Sequence, residues 1–90
     1  MYANKKILIT GGSSGLGKII ALSYAKEKGQ IINFSRNINK LKDVNNELQK
    51  VNAINHKYYS IDVSKYNDIL TVKKELEQNN MLPDIIINNA

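Results

Sequence analysis

The sequence predicts an α/β chain, the amino-terminal half of a doubly wound parallel sheet in the order β-α-β-α-β-α-β. Three observations carry that expectation. Four short apolar runs, residues 7–9, 31–34, 58–61 and 85–87, alternate with three longer segments of helical period. No linker, low-complexity stretch or internal repeat interrupts them, and such alternation is the mark of βαβ units. A glycine-rich stretch stands between the first run and the first helical segment, where folds of this class hold phosphate.

Each apolar run is short, nearly continuous and rich in β-branched or aromatic residues, as expected for strands buried on both faces. After the first, Leu16, Ile19, Ile20, Ala21 and Tyr24 form a stripe that predicts a helix over 15–28, with Gly29 as its stop signal. Leu41, Val44, Leu48 and Val51 predict a second helix over 39–51, capped by Asn37 or Asn39. Ser64 is the expected cap of a third, in which Asp68 favours the positive helix start and Ile69, Val72 and Leu76 are buried. Pro83 lies beyond its end. Right-handed crossovers then put the fourth strand beside the first with nothing outside it. Natural domains avoid such an exposed, isoleucine-rich edge, so residues 1–90 are expected to be one nucleotide-binding domain cut short at the carboxyl end.

Ninety residues bound the chain to one domain with a modest core, and 42% hydrophobic with 23% charged residues is an ordinary globular balance. The absence of cysteine removes disulfides and thiolate metal sites and fits a reducing compartment. A formal charge of +5 comes from scattered lysines, the pattern of a solvated surface rather than a nucleic-acid face. Lys5 and Lys6 precede only three apolar residues, too few for a signal peptide or a membrane span, and a cytoplasmic location is expected. His56 sits in a polar loop with no paired acid, as a surface residue would.

The loop Thr10-Gly11-Gly12-Ser13-Ser14-Gly15-Leu16-Gly17-Lys18 is the most informative stretch. Its glycines let backbone approach a diphosphate, and the helix start behind it offers unpaired N–H groups. Three chemistries use loops of this kind. Residues 12–18 nearly spell the P-loop of nucleoside-triphosphate phosphotransferases, but Ile19 stands where a hydroxyl must hold magnesium. Residues 11–15 match the serine-hydrolase nucleophile elbow with Ser13 as nucleophile, yet too few residues precede it for the upstream oxyanion-hole loop. A dinucleotide loop is the third. At the end of the second run, uncharged Ser35 and the planar donor fork of Arg36 suit a ribose 2′-phosphate, which favours NADPH or NADP over NAD. Lys40 lies near enough to reach the same phosphate, or is simply a solvated lysine.

Thr10 with the spacing Gly11, Gly15, Gly17 resembles the T-G-x-x-x-G-x-G loop of short-chain dehydrogenases/reductases. Asp62-Val63 is similar to that family's adenine-contacting pair, and Asn88-Asn89-Ala90 to its N-N-A-G motif without the last glycine. The resemblance covers nearly the whole chain and implies a Rossmann-type fold, NADPH-dependent reduction of a ketone or oxidation of an alcohol, and frequent homo-oligomers. Cofactor contacts implied by it fall on Gly11, Ser13, Ser14, Gly15, Leu16, Gly17, Ser35, Arg36, Lys40, Asp62, Val63, Asn89 and Ala90. Within the family, the loop, residues 35–37 with Lys40-Leu41, residues 62–64 and Pro83-Asp84 look most like 3-ketodihydrosphingosine reductases. That subfamily reduces 3-ketosphinganine, a sphingoid base, and would work at the cytosolic face of the endoplasmic reticulum. The family's catalytic serine and Y-x-x-x-K pair follow the fourth strand. Tyr24 and Lys28 have that spacing but lie on the first helix, so the 90 residues are expected to lack turnover alone. A non-catalytic dinucleotide-binding module is the alternative.

Overall fold

Side-chain alternation along two central strands decides which helices pack on which side. The computed structural model describes residues 1–89. In chain order the elements are β1 (Lys6–Thr10), α1 (Gly15–Lys26), β2 (Gln30–Ser35), α2 (Ile38–Val51), β3 (Lys57–Ser60), α3 (Tyr66–Gln78) and β4 (Ile85–Asn88). All strand pairs are parallel, in the order β3-β2-β1-β4. Ile7, Ile9 and Ile31 face α1 and α2, where they meet Ala21, Ala25, Val44 and Leu48. Leu8, Ile32 and Phe34 face the other way, onto Val72 and Leu76 of α3 and onto Met81. Each fully buried isoleucine or leucine contributes about 1.5–3 kcal/mol, so the two cores together hold the sheet between its helical layers.

The first half of a doubly wound parallel sheet is therefore present, and β4 lies beside β1 as the crossover rule requires. Burial on both faces holds for β1 and β2 but not for the outer strands. β3 is only partly covered, and Ile86 in β4 is 65% exposed. Among the described residues the flanking strands have a neighbour on one side only, and a cavity lies between α3 and Ile86 of β4.

The buried face of α1 also differs from expectation. Leu16 and Ile19 are 65% and 61% exposed, while Gly17, Ala21 and Ala25 are buried. Ile20, Ala21 and Tyr24 of the expected stripe do pack on the core, and the small residues at four-residue steps bring the helix close to the sheet there, turning Leu16 and Ile19 outward. The helix ends two residues before the expected limit, because Lys28 takes a left-handed conformation at φ 70°. Lys28 N donates to Ala25 O and Gly29 N to Tyr24 O, the paired bonds of a Schellman cap. Gly29 thus follows the left-handed residue. α3 ends by the same device, with Asn80 at φ 56° and Met81 N donating to Leu76 O at 2.7 Å, so Pro83 does not stop the helix.

Asn37 caps α2 as expected, its Oδ1 accepting from Lys40 N at 3.1 Å. Ser64 does not cap α3. The helix starts one residue later, after Lys65, and the Ser64 hydroxyl donates instead to Asp62 Oδ1 at 2.6 Å. His56 is the largest correction, since it is 4% exposed. Its Nδ1 accepts from Ile31 N at 2.9 Å, which leaves the proton on Nε2 to be donated to Asn52 O at 3.0 Å. The imidazole joins the start of β2 to the end of α2, filling a gap that backbone alone does not close.

Candidate functional site

Parallel strands end on one rim, so whatever follows each strand converges there. β1 runs into Gly11, β2 into Arg36, β3 towards Asp62 and Val63, and β4 into Asn89. Backbone bonds lock neighbouring strand ends together: Gly11 N donates to Phe34 O at 2.8 Å and Ile61 N to Ser35 O at 2.9 Å. On the β4 side, Thr10 Oγ1 donates to Asn88 Oδ1 at 3.1 Å and accepts from Asn89 N at 3.0 Å. Asn89 Nδ2 reaches Gly11 O at 3.3 Å, tying the last described residue to the glycine loop. Ala90, also expected at the site, lies outside the described residues.

Gly11 takes φ 71° and Gly15 φ 58°, left-handed turns in which a side chain is strained. Gly17 has a different reason to be glycine, because a Cβ there would run into the Gly11 carbonyl oxygen and Asn89 Nδ2. The opening of α1 is therefore pressed against the rim. Ser14 is the N-cap residue but makes no side-chain cap bond, and the first turn carries no acid. The N–H groups and partial positive charge of the helix start are left for an anion. A cradle that a Cβ would fill, beneath an uncapped helix start, fits a diphosphate.

Ser13 is 8% exposed, and its Oγ lies 2.8 Å from Ser35 Oγ. That pair ties the loop to the end of β2. The hydrolase reading loses its base, because His56 sits at the opposite end of β2 and the partner of the Ser13 hydroxyl among the described residues is another serine. Gly11 at the start of the loop, with Ser35, Arg36, Asp62 and Val63, walls a cleft of about 280 Å³ at the rim. Ser13, Ser14, Gly15 and Lys40 line a neighbouring groove of about 270 Å³, in which Lys18 Nζ pairs with Glu47 at 2.8 Å. Lys40 is thus placed on the helix-start side of the loop, while Arg36 is on the cleft side. Leu16 stands exposed on the first turn of α1.

Asp62 is held ionised. Its Oδ1 accepts from both the hydroxyl and the N–H of Ser64, and those bonds, helped by Arg36, hold its carboxyl below the usual range. An ionised carboxylate only accepts hydrogen bonds, so it suits an amino group such as that of adenine. Arg36 Nη1 is 3.9 Å from Asp62 Oδ2 and the arginine side chain is 80% exposed, a loose contact that leaves the guanidinium available. A further cavity, about 360 Å³ and mainly apolar, opens on the α3 side of the sheet between Leu8, Phe34, Leu82 and Ile86. Its one charged lining residue, Lys73, is paired with Glu77 at 3.7 Å.

Sequence reasoning missed one residue of this site. Asn33 is buried in the middle of β2 beneath the loop, and its Nδ2 donates to Gly12 O at 3.0 Å. The signal was a polar residue inside an otherwise apolar strand.

The family model for short chain dehydrogenases matches residues 5–90. An NADPH-dependent pterin aldehyde reductase of Arabidopsis thaliana is 34% identical over 90 residues, covering 100% of this chain and 36% of the relative. A 3-ketodihydrosphingosine reductase of Mus musculus is 35% identical over 89 residues, covering 93% of this chain and 26% of the relative. Among solved structures, an L-sorbose reductase of Gluconobacter frateurii complexed with NADPH and L-sorbose superposes with a TM-score of 0.91 at 28% identity, covering 99% of this chain and 34% of that one. The chain spans about a third or less of the length of these proteins. Relatives of different substrate stand at similar identity, so overall identity does not choose among substrates.

Proposed function

The chain belongs to the short-chain dehydrogenase family, and on that premise we propose that its rim binds NADPH or NADP for an oxidoreductase that reduces a ketone to an alcohol. The observation that carries this reading is the uncapped start of α1 over the Gly11–Gly17 contact, with an uncommitted guanidinium at the end of the next strand. When bound, the cofactor supplies the hydride. The residues of this chain bind and orient it. Backbone amides at Ser13, Ser14, Gly15, Leu16 and Gly17 face the diphosphate, with Gly11 giving it room to approach. Ser35 and Arg36 receive the 2′-phosphate, with Lys40 as a second cation on the far side of the loop. Asp62 accepts from the adenine amino group while Val63, 42% exposed on the cleft wall, packs on the ring. Asn89 ties β4 to the loop through its bond to Gly11 O, and Asn89 and Ala90 complete the set of cofactor contacts in this reading.

In this reading residues 1–90 supply the cofactor-binding part of the activity. The 90-residue chain mixed with NADPH and 3-ketosphinganine is expected to show no loss of nicotinamide absorbance; clear turnover would overturn that expectation. For the substrate we favour a sphingoid ketone such as 3-ketosphinganine. Its support is the combined likeness of the glycine loop, Ser35-Arg36-Asn37, Asp62-Val63-Ser64 and Pro83-Asp84 to the 3-ketodihydrosphingosine reductases, one of which is a relative.

Titration of the 90-residue chain with NADPH, NADH and magnesium-ATP, followed by calorimetry, tests the cofactor reading. NADPH is expected to bind at least about tenfold more tightly than NADH, and magnesium-ATP more weakly than either. Equal affinity for the two dinucleotides would remove the 2′-phosphate argument, and preference for magnesium-ATP would replace the dehydrogenase reading with a phosphotransferase one.

A further inference from the structure

We propose that Asn33 is a positioning residue that sets the height and orientation of the glycine loop, and through it the affinity for a dinucleotide's diphosphate. The inference rests on the cofactor reading above. It starts from an energetic anomaly. Asn33 occupies the interior of β2, flanked by Ile32 and Phe34, and is 2% exposed. Its Oδ1 is buried with no hydrogen-bond partner among the described residues. An unpaired buried acceptor costs about 1–3 kcal/mol, and leucine, branched at the same carbon, would avoid that cost in a strand otherwise built of isoleucine and phenylalanine.

What the asparagine gains is one bond, and it goes to the loop. Nδ2 donates to Gly12 O at 3.0 Å. In a planar trans peptide the C=O and the following N–H point in opposite directions. Drawing the Gly12 carbonyl down towards the sheet therefore turns the Ser13 N–H up and away from it, towards the side on which a ligand must lie. Gly12 is fitted to this contact. It does not take a left-handed φ, yet a Cβ on it would come 2.5 Å from Asn33 Oδ1 and 2.9 Å from Cγ. Glycine is needed there for room, so that the loop can rest flat on the amide. The Ser13–Ser35 hydroxyl pair at 2.8 Å pins the next residue of the loop to the same strand. Two consecutive loop residues are thus tethered to β2, one by carbonyl and one by side chain.

Asn33→Leu in the 90-residue chain separates this role from simple packing, because the two predict opposite changes. Removing the unpaired acceptor is expected to leave the thermal midpoint unchanged or raise it, while the released Gly12 carbonyl turns outward and NADPH binding weakens about tenfold or more. Adenosine 2′-monophosphate, which has the adenosine end and the 2′-phosphate but no 5′-phosphate to reach the loop, is expected to weaken by less than about threefold. Gly12→Ala, whose Cβ would meet the Asn33 amide and lift the loop, should repeat the ligand pattern while lowering the thermal midpoint. Equal losses for the two ligands, or unchanged NADPH affinity in both variants, would overturn the role of Asn33 alone. Failure of the unaltered chain to bind NADPH would overturn the cofactor reading, and this inference with it.

Discussion

Arg36 and His56 show how one side chain's surroundings fix what it does. Arg36 is exposed and holds Asp62 only loosely, so little is lost when its guanidinium turns to a phosphate. Arg36→Asp is expected to weaken NADPH by about tenfold or more while leaving NADH within about threefold, because a charge-assisted pair becomes a repulsion for the phosphorylated ribose only. Comparing the two dissociation constants in one variant checks this, and a parallel loss of both would argue against Arg36 as the 2′-phosphate ligand. His56 is the opposite case. Burial pushes its imidazole below the ordinary value of 6.5, and the bond from Ile31 N requires an unprotonated Nδ1. The unfolded chain takes up a proton at higher pH than the folded one, so this contribution to stability is complete above about 6.5 and is lost as pH falls through the lowered folded value. Thermal midpoints measured between about pH 7.5 and pH 5 should fall with acidification, and His56→Gln should flatten the fall; an unchanged slope would remove His56 as its source.

At the level of elements, two helices end on residues that are not glycine in left-handed turns. Lys28 follows α1 at φ 70° and Asn80 follows α3 at φ 56°. Lysine bears a Cβ penalty there that asparagine partly avoids. Lys28→Gly is expected to stabilise the chain by about 0.5–1 kcal/mol and Lys28→Val to destabilise it, as read from urea midpoints; a stabilising valine would contradict the cap assignment. The same termini show what the sequence can and cannot disclose. Helix two was legible because Leu41, Val44 and Leu48 repeat at one period and Asn37 precedes them with its capping oxygen. Helix one was legible in place and only partly in orientation: Ile20, Ala21 and Tyr24 pack on the core as expected, but Leu16 and Ile19 do not, and Gly17 and Ala25, which carry almost no hydropathy signal, take their place on the buried face. The glycine loop and the residues at each strand end were legible because phosphate binding needs backbone, and backbone demands particular residues. His56 was not, for its bonds to Ile31 and Asn52 exist only once α2 has folded back onto β2. Asn33 left a trace in the sequence, a polar residue in an apolar run, but only the register of β2 beneath Gly12 gives that trace a purpose.

For the whole molecule, the sheet's two sides are unequally covered. α1 and α2 close one side, whereas α3 leaves Leu82 and Ile86 at 48% and 65% exposure around the apolar cavity, beside the outer strand β4. An edge strand with unpaired backbone groups and an exposed isoleucine is a template for pairing with another copy. A formal charge of +5 opposes that approach at low ionic strength, and salt weakens the opposition because the screening length falls from about 30 Å at 0.01 M to about 10 Å at 0.1 M. Light scattering by the 90-residue chain is therefore expected to rise with salt, the reverse of what association through ion pairs would give. Ile86→Lys should suppress the rise, since it removes the apolar contact and places on the edge the residue that natural edge strands use against pairing. Its effect on stability should stay within about 0.5 kcal/mol, because the side chain it replaces lies mostly in water. Scattering that is independent of salt, or unaffected by the substitution, would move the sticky surface away from β4 and onto the exposed Leu16 and Ile19 of α1, where Ile19→Lys is the corresponding test.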